Sequence, residues 1–214
     1  MKRLILITTL AVIISGIMSA QGNYNGSDMR DQLQFGLKIG TNYSNVYDIK
    51  GQDFTADFKF GLAGGAYIAI PIGKLFGVRP EVLYSQKGYQ STGNILGSGY
   101  KIMHTADYLD IPILLEIKPA EFITVVAGPQ YSYLMHTKNK FSNSFLTAQQ
   151  EQSFDNANIR KNLLCFLAGL DFNINHLVIG TRVGFDLLQN NGDGTSANPR
   201  YRNMWYQATL GIRF

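Results

Sequence analysis

The chain has 214 residues, with 19 Lys or Arg side chains against 15 Asp or Glu. So balanced a charge argues against a nucleic-acid partner, which would favour a clear basic surplus. Cys165 is the only cysteine, so no internal disulfide can form. After residue 20 no run approaches the ~20 consecutive apolar residues of a membrane-spanning helix, so strands could cross a bilayer only as a closed barrel.

Residues 1–20 predict a secretory signal peptide. Lys2 and Arg3 precede an almost wholly apolar run, and small residues at its end provide a cleavage point. Removing this segment leaves 17 basic side chains against 15 acidic ones. The next residues, 21–32, are polar and show no period, and we interpret them as a short periplasmic lead-in.

Eight segments of the remaining chain alternate between apolar and polar residues, as strands do because successive side chains point to opposite faces. Most are slightly longer than the ~9–11 residues that a tilted membrane strand requires. The predicted strands are 33–43, 58–70, 75–88, 106–118, 121–134, 162–174, 177–188 and 203–214.

Short and long connections alternate along these strands. An even-numbered antiparallel membrane barrel shows this arrangement, with short turns in the periplasm and long loops outside the cell. Short turns are predicted at 71–74, 119–120 and 175–176, and long, mobile extracellular loops at 44–57, 89–105, 135–161 and 189–202.

The two faces of each predicted strand differ in chemistry; in the seventh, Ile179 and Val183 lie opposite Arg182 and Asp186. A soluble, lipocalin-like barrel would turn the apolar face inward around a ligand and carry many Lys and Glu outside. Here the polar face is instead rich in Gly, and aromatic residues lie near strand ends, as in interfacial girdles. The sequence therefore predicts an all-β, eight-stranded antiparallel up-and-down transmembrane β-barrel in the outer membrane.

Charged residues of the polar faces are expected to form an ionic core in the lumen. An eight-stranded barrel has an interior only wide enough for side chains, so buried charges must pair there. Equal numbers of bases and acids favour a closed interior, whereas a conducting lumen would more naturally carry a surplus of one sign. The predicted core residues are Lys38, Arg79, Glu81, Lys87, Asp110, Glu116, Asp171, Arg182, Asp186 and Arg213.

Two histidines are weak candidates for a metal site. If Lys118 lies opposite Glu121 or Phe122, the register places His104 across from His136 at the loop-side mouth. Facing histidines could bind a transition metal or act as a proton switch. No third ligand is visible nearby, so we favour exposed polar rim residues and predict neither a metal nor another cofactor.

Catalysis finds little support in the sequence. Some small outer-membrane barrels are rim enzymes, and His104, Asp107 and Ser144 could be combined in that way, but no nucleophile motif such as G-x-S-x-G occurs. Cys165 has inward parity and is expected to be inert packing, because reactive thiols need an exposed, electropositive setting. We therefore predict no catalytic residues.

Two neighbouring segments, YLDIPILLEIKP at 108–119 and AGPQYSY at 127–133, resemble the PorT-like family of Bacteroidota outer-membrane β-barrel proteins. PEVLYSQKG at 80–88 and the terminal LGIRF extend the similarity, which runs through 33–214. The resemblance implies an eight-stranded outer-membrane barrel, and one branch of the family is tied to a secretion machinery. Because proline removes a ladder donor, we also expect bulges at Pro112 and Pro129.

The expected partners follow from this location. They are outer-membrane lipid, the barrel-assembly machinery, for which Phe214 is the predicted assembly signal, and subunits of an envelope or secretion complex. We expect a scaffold or accessory subunit that acts through its long loops; the alternatives are a surface recognition or adhesion protein, and a rim enzyme. Loop aromatics suited to partner contact are Tyr89, Tyr100, Phe141, Phe145 and Phe154.

Overall fold

The computed structural model describes residues 28–50, 56–95, 98–143, 147–152, 160–190 and 200–214. The predicted signal peptide and most of the predicted lead-in lie outside these ranges. A 3-10 turn, Met29–Asp31, precedes the first strand, and no helix within the described ranges is long and apolar enough to cross a membrane. The strands are β1 (Gln34–Lys50), β2 (Lys59–Ile72), β3 (Phe76–Ile95), β4 (Ser98–Ala120), β5 (Ile123–Asn143), β6 (Thr147–Gln152), β7 (Asn162–Ile174), β8 (Leu177–Asp186) and β9 (Arg200–Arg213).

Eight of these strands form one antiparallel ring. The sheet order is β4-β3-β2-β1-β9-β8-β7-β5-β6, and an additional pairing between β4 and β5 closes the circle. The short strand β6 lies outside the ring, paired with the upper part of β5. The prediction of an eight-stranded antiparallel barrel is therefore confirmed, and β6 is a ninth strand that the sequence did not reveal.

Large apolar side chains cover the outside of the barrel. Ile39 is 70% exposed, Leu115 65% and Leu62 64%, whereas the alternate residues of the same strands point inward and are mostly buried. Water is a poor solvent for such a surface, and the hydrocarbon of a bilayer suits it. The soluble, lipocalin-like alternative requires the opposite arrangement and is excluded.

A row of tyrosines borders this apolar belt on the side of the long connections. Tyr84, Leu109 and Tyr133 are register partners across β3, β4 and β5, and both tyrosines are about 40% exposed. Tyr43 and Tyr206 form a similar pair on β1 and β9. Since tyrosine rings collect where hydrocarbon meets headgroups, this row marks the outer edge of the membrane-spanning part.

Two of the three predicted short turns are displaced. The β2–β3 turn lies at 73–75, with Gly73 at φ 71°, and the β7–β8 turn is at 175–176 as predicted, with Asn175 at φ 54°. The β4–β5 turn, predicted at 119–120, lies at 121–122. A register shift between Ile117 and Ala120 places Pro119 at an irregularity, where its missing N–H removes no regular ladder bond.

The bulges expected at Pro112 and Pro129 are absent. The β4–β5 register is the same on both sides of these prolines, and the bulge in the middle of this pair lies between Asp107 and Tyr108. At the prolines the ladder has local gaps and no inserted residue. Gly128 permits this close contact, because a Cβ there would lie 2.2 Å from the carbonyl oxygen of Ile113.

The predicted loops 89–105 and 135–161 contain strand. β3 continues to Ile95, β4 begins at Ser98, and β5 continues to Asn143 before β6 returns against it. We call the part above the tyrosine row the projecting sheet: 86–95 of β3, 98–107 of β4, 136–143 of β5, and β6. Apolar alternation could not reveal these extensions, because above the membrane neither face of a strand contacts hydrocarbon.

Candidate functional site

Ion pairs fill the periplasmic half of the lumen. Lys38 Nζ lies 2.5 Å from Glu81 Oε2, and both side chains are at most 5% exposed. Arg79 binds both Glu116 and Asp171, and stacks over the ring of Tyr67 at 4.7 Å. Two further bases complete this level: Arg182 lies 2.5 Å from Asp171, and Lys118 lies 3.2 Å from Glu116.

A second charged level lies in the extracellular half. Lys87 Nζ is 3.0 Å from Asp110 Oδ2, 3.8 Å from the centroid of the Trp205 ring and 4.8 Å from that of Tyr108. Asp186 accepts hydrogen bonds from the backbone N–H and the side-chain amide of Asn203 and from the thiol of Cys165. Each buried charge at this level therefore has a hydrogen-bond partner, as burial requires.

Hydrogen-bonded neutral side chains lie between the two levels. The Asn42 amide donates to Ser85 Oγ at 2.9 Å, and the Gln207 amide donates to Asn42 Oδ1 at the same distance. Glycine makes room for the largest rings: a Cβ on Gly184 would lie 2.3 Å from its register partner Trp205. The lumen is thus filled by side chains, as the width of an eight-stranded barrel leads one to expect.

Nine of the ten predicted core residues are buried in the lumen, and Arg213 is the exception. Arg213 is half-buried at the periplasmic rim, because it ends β9, and its Nε donates to the carbonyl of Asn175 at 2.8 Å. Lys118 belongs to the buried set but was missing from the predicted core, although it shares the parity of Glu116. Trp205, Tyr108 and Tyr67 were also missed; their inward parity was the available signal.

The N-terminal 3-10 turn lies against the periplasmic mouth. Lys118 Nζ donates to the Arg30 carbonyl at 2.9 Å, and the Gln34 amide donates to the Met29 carbonyl at 2.5 Å. Arg30 also pairs with Asp28 at 2.7 Å, and this hydrogen-bonded guanidinium holds the pKa of Asp28 well below its usual value. The segment predicted as a lead-in therefore contacts the barrel where it is described.

An aromatic cluster covers the extracellular mouth. His104 stacks on Tyr89 with ring centroids 5.2 Å apart, and Tyr201 meets both rings edge-on. His104 Nδ1 lies 2.6 Å from Asn139 Oδ1, and its Nε2 lies 3.4 Å from the Tyr201 hydroxyl. Burial lowers the pKa of His104 and raises the pKa of Tyr89 and Tyr201. Tyr89, predicted as an exposed loop aromatic, is instead part of this cluster.

The predicted pairing of His104 with His136 is wrong. His104 lies opposite Asn139 and His136 opposite Asp107, because the turn is shifted and the bulge at Asp107 and Tyr108 adds one residue to β5. Within the described ranges, no group of three His, Cys, Asp or Glu side chains could hold a metal ion.

The residues considered for rim catalysis do not converge. His104 and Asp107 lie three positions apart on β4 and so face opposite sides of the strand, inward and outward, while Ser144 lies outside the described residues. Cys165 is fully buried, and its sulfur contacts Ser132 and Asp186.

The projecting sheet has two different faces. On the inner face, which continues the lumen side, Tyr100 stacks on Phe141 with centroids 6.1 Å apart, and Ile102 is 38% exposed beside them. The outer face continues the lipid side and carries polar side chains. Two of the predicted contact aromatics, Phe145 and Phe154, lie outside the described residues.

The family described as outer membrane protein beta-barrel domain matches residues 19–211. The chain belongs to this family. The family match therefore places this barrel in the outer membrane, and its apolar outer belt also requires a lipid surround. No curated protein matches it closely enough to assign it a function.

Solved structures with similar folds come from several bacteria. Ail, the attachment invasion locus protein of Yersinia pestis, is 16% identical with a TM-score of 0.50, and the match covers 85% of this chain and 98% of Ail. A major outer membrane protein of Thermus thermophilus is 12% identical with a TM-score of 0.48, and the match covers 85% of this chain and 99% of that protein. At 16% identity the similarity to Ail shows the barrel fold alone.

Proposed function

We propose that this outer-membrane barrel is a non-enzymatic anchor that binds a protein partner through its projecting sheet. The observation that carries the proposal is the extension of β3, β4 and β5, with β6 added, beyond the tyrosine row that ends the membrane-spanning part. A lumen filled with paired charges supports a binding role over transport.

The edge of the projecting sheet suits strand addition. β6 pairs with β5 from Thr147 to Gln152 and with no other described strand. An edge strand presents N–H and C=O groups that a partner strand can pair with. The stacked Tyr100 and Phe141, with Ile102 beside them, offer apolar contacts for the same partner.

Two classes of partner fit this surface. One is a subunit of an envelope or secretion assembly, as the PorT-like resemblance implies, and the other is an extracellular ligand of a recognition or adhesion protein. The position of the sheet on the side of the long connections favours a partner that is reached from outside the cell.

Site-specific photo-crosslinking in intact cells tests the proposal. A crosslinker at Gln150 on β6 or at Phe141 should capture a discrete partner, and one at Lys74 in the β2–β3 turn, the matched control, should not. An envelope protein among the products supports the assembly role, and an externally added protein supports recognition. Capture at Lys74 with none from either sheet position would refute the proposed surface.

A further inference from the structure

Three lysines lie together on the outer face of the projecting sheet: Lys101 on β4, and Lys138 and Lys140 on β5. Lys101 shares the parity of Leu109 and Leu115, which face lipid lower on the same strand. Residues paired in register share a face, and Lys138 and Lys140 lie opposite residues of that same parity on β4. All three side chains therefore leave the sheet on the side that stands over the membrane.

The spacing of these lysines suits an anion. Lys138 and Lys140 are two residues apart on one strand, a separation of about 7 Å. Lys101 and Lys140 are diagonal neighbours across the β4–β5 pair, for which Cβ atoms lie about 7–8 Å apart. Like charges at these distances repel each other, and a phosphate between them would accept charge-assisted hydrogen bonds from both.

Lys101 and Lys140 have uncharged neighbours in register on both sides. Lys101 lies between Thr92 and Ser142, and Lys140 lies between Met103 and Gln149. This upper pair is therefore the centre of the basic surface.

The lower end of the face carries an acidic residue. Asp107 lies below Lys138 and accepts a hydrogen bond from the Gln86 amide at 2.9 Å. The positive potential thus increases with distance from the hydrocarbon.

The height of the lysines indicates the kind of lipid. Lys138 lies in the row of Thr105, four residues above Leu109 in the tyrosine row, and Lys101 lies eight residues above it. With the usual rise and tilt of barrel strands, these positions are about 10 and 20 Å above the hydrocarbon edge. Phospholipid headgroups extend only about 5–8 Å on each side of the core, so a taller headgroup is needed.

We propose that Lys101, Lys138 and Lys140 bind the phosphate groups of an anionic glycolipid of the outer leaflet. The charge of the face, its continuity with the lipid belt and its height together identify this ligand. The site is separate from the partner-binding edge and aromatic face and does not depend on the proposed function.

Titration of the refolded full barrel in neutral detergent with lipopolysaccharide tests the inference. Lys101→Gln combined with Lys140→Gln should raise the dissociation constant about 10- to 30-fold, since each basic residue near an anionic surface strengthens binding by a few-fold or more. The matched control, Lys74→Gln with Lys161→Gln, removes two lysines elsewhere and should bind as the unaltered barrel does. Added salt should weaken binding to the unaltered barrel.

Three comparisons would overturn the inference. Equal binding by the unaltered barrel and the Lys101→Gln, Lys140→Gln variant would exclude the site, provided that native Trp205 fluorescence shows both to be folded. Equally tight binding of dephosphorylated lipopolysaccharide would refute the role of the phosphate groups. Equally tight binding of phosphatidylglycerol, whose headgroup is short, would refute the argument from height.

Discussion

Replacing Lys38 with methionine would leave Glu81 as a buried carboxylate without its hydrogen-bonded cation. The two groups are 2.5 Å apart, so Coulomb's law at an effective dielectric constant of about 20 gives about 7 kcal/mol of attraction. Removing both ions from water costs several kcal/mol each, and the intact pair therefore gives little net stability. Breaking it is different: Lys38→Met should lower the free energy of unfolding by about 3–5 kcal/mol.

A double-mutant cycle isolates this effect. Glu81→Leu alone should cost about as much as Lys38→Met, whereas the double variant should lie within about 2 kcal/mol of the unaltered barrel, because no unpaired charge remains. Lys74→Met is the control: the Lys74 side chain is 60% exposed and its Nζ lies 3.5 Å from Asp28, so its loss should change stability by less than about 1 kcal/mol.

Urea unfolding in phospholipid vesicles provides the measurement. Trp205 is the only tryptophan and is buried at the other charged level of the lumen, so its fluorescence reports folding without contacting the altered pair. The reasoning is refuted if Lys38→Met unfolds within about 1 kcal/mol of the unaltered barrel, or if the double variant shows the sum of the single losses.

Three further outcomes are expected. Gly184→Val should destabilise the barrel by about 1–3 kcal/mol and shift the Trp205 emission, because the new side chain meets the indole, while Ala208→Val on the lipid face should do neither. Since burial lowers the pKa of His104, the folded barrel favours the neutral ring, and the free energy of unfolding should fall as pH drops below about 6.5. His104→Gln should reduce this dependence, and a slope equal to that of the unaltered barrel would contradict the assignment. In planar bilayers the refolded barrel should give no stepwise ion conductance, and channels like those of a porin control would contradict a filled lumen.

The lipid and lumen faces could be predicted from the sequence because a strand has a period of two. Lys38 and Arg182 point inward as their parity requires, since hydrocarbon outside and a packed lumen inside leave no third environment. The same rule identifies which charges are buried but not which ones meet. That Arg79 binds both Glu116 and Asp171 depends on how three strands are placed around the lumen, and the pattern of a single strand does not contain that information.

The predictions from the sequence were wrong about strand register and about where strands end. The displaced β4–β5 turn and one added residue near Asp107 together separate His104 from His136, and nothing local in the sequence reveals such a bulge. The projecting sheet was missed because strands in water on both faces lose their apolar alternation. The backbone hydrogen bonds between its strands continue those of the barrel below, and a hydropathy pattern does not detect this source of stability.

Some ion pairs of the lumen join residues that are far apart along the chain. Lys38 and Glu81 are 43 positions apart, Arg79 and Asp171 are 92 apart, and β1 pairs with β9. Until the strands that carry them are brought together around the lumen, each of these charges lacks its companion and has to remain hydrated. Membrane insertion and the final pairing of β1 with β9 should therefore occur as one concerted event, and water should leave the lumen only at this last step. A half-inserted intermediate should not accumulate.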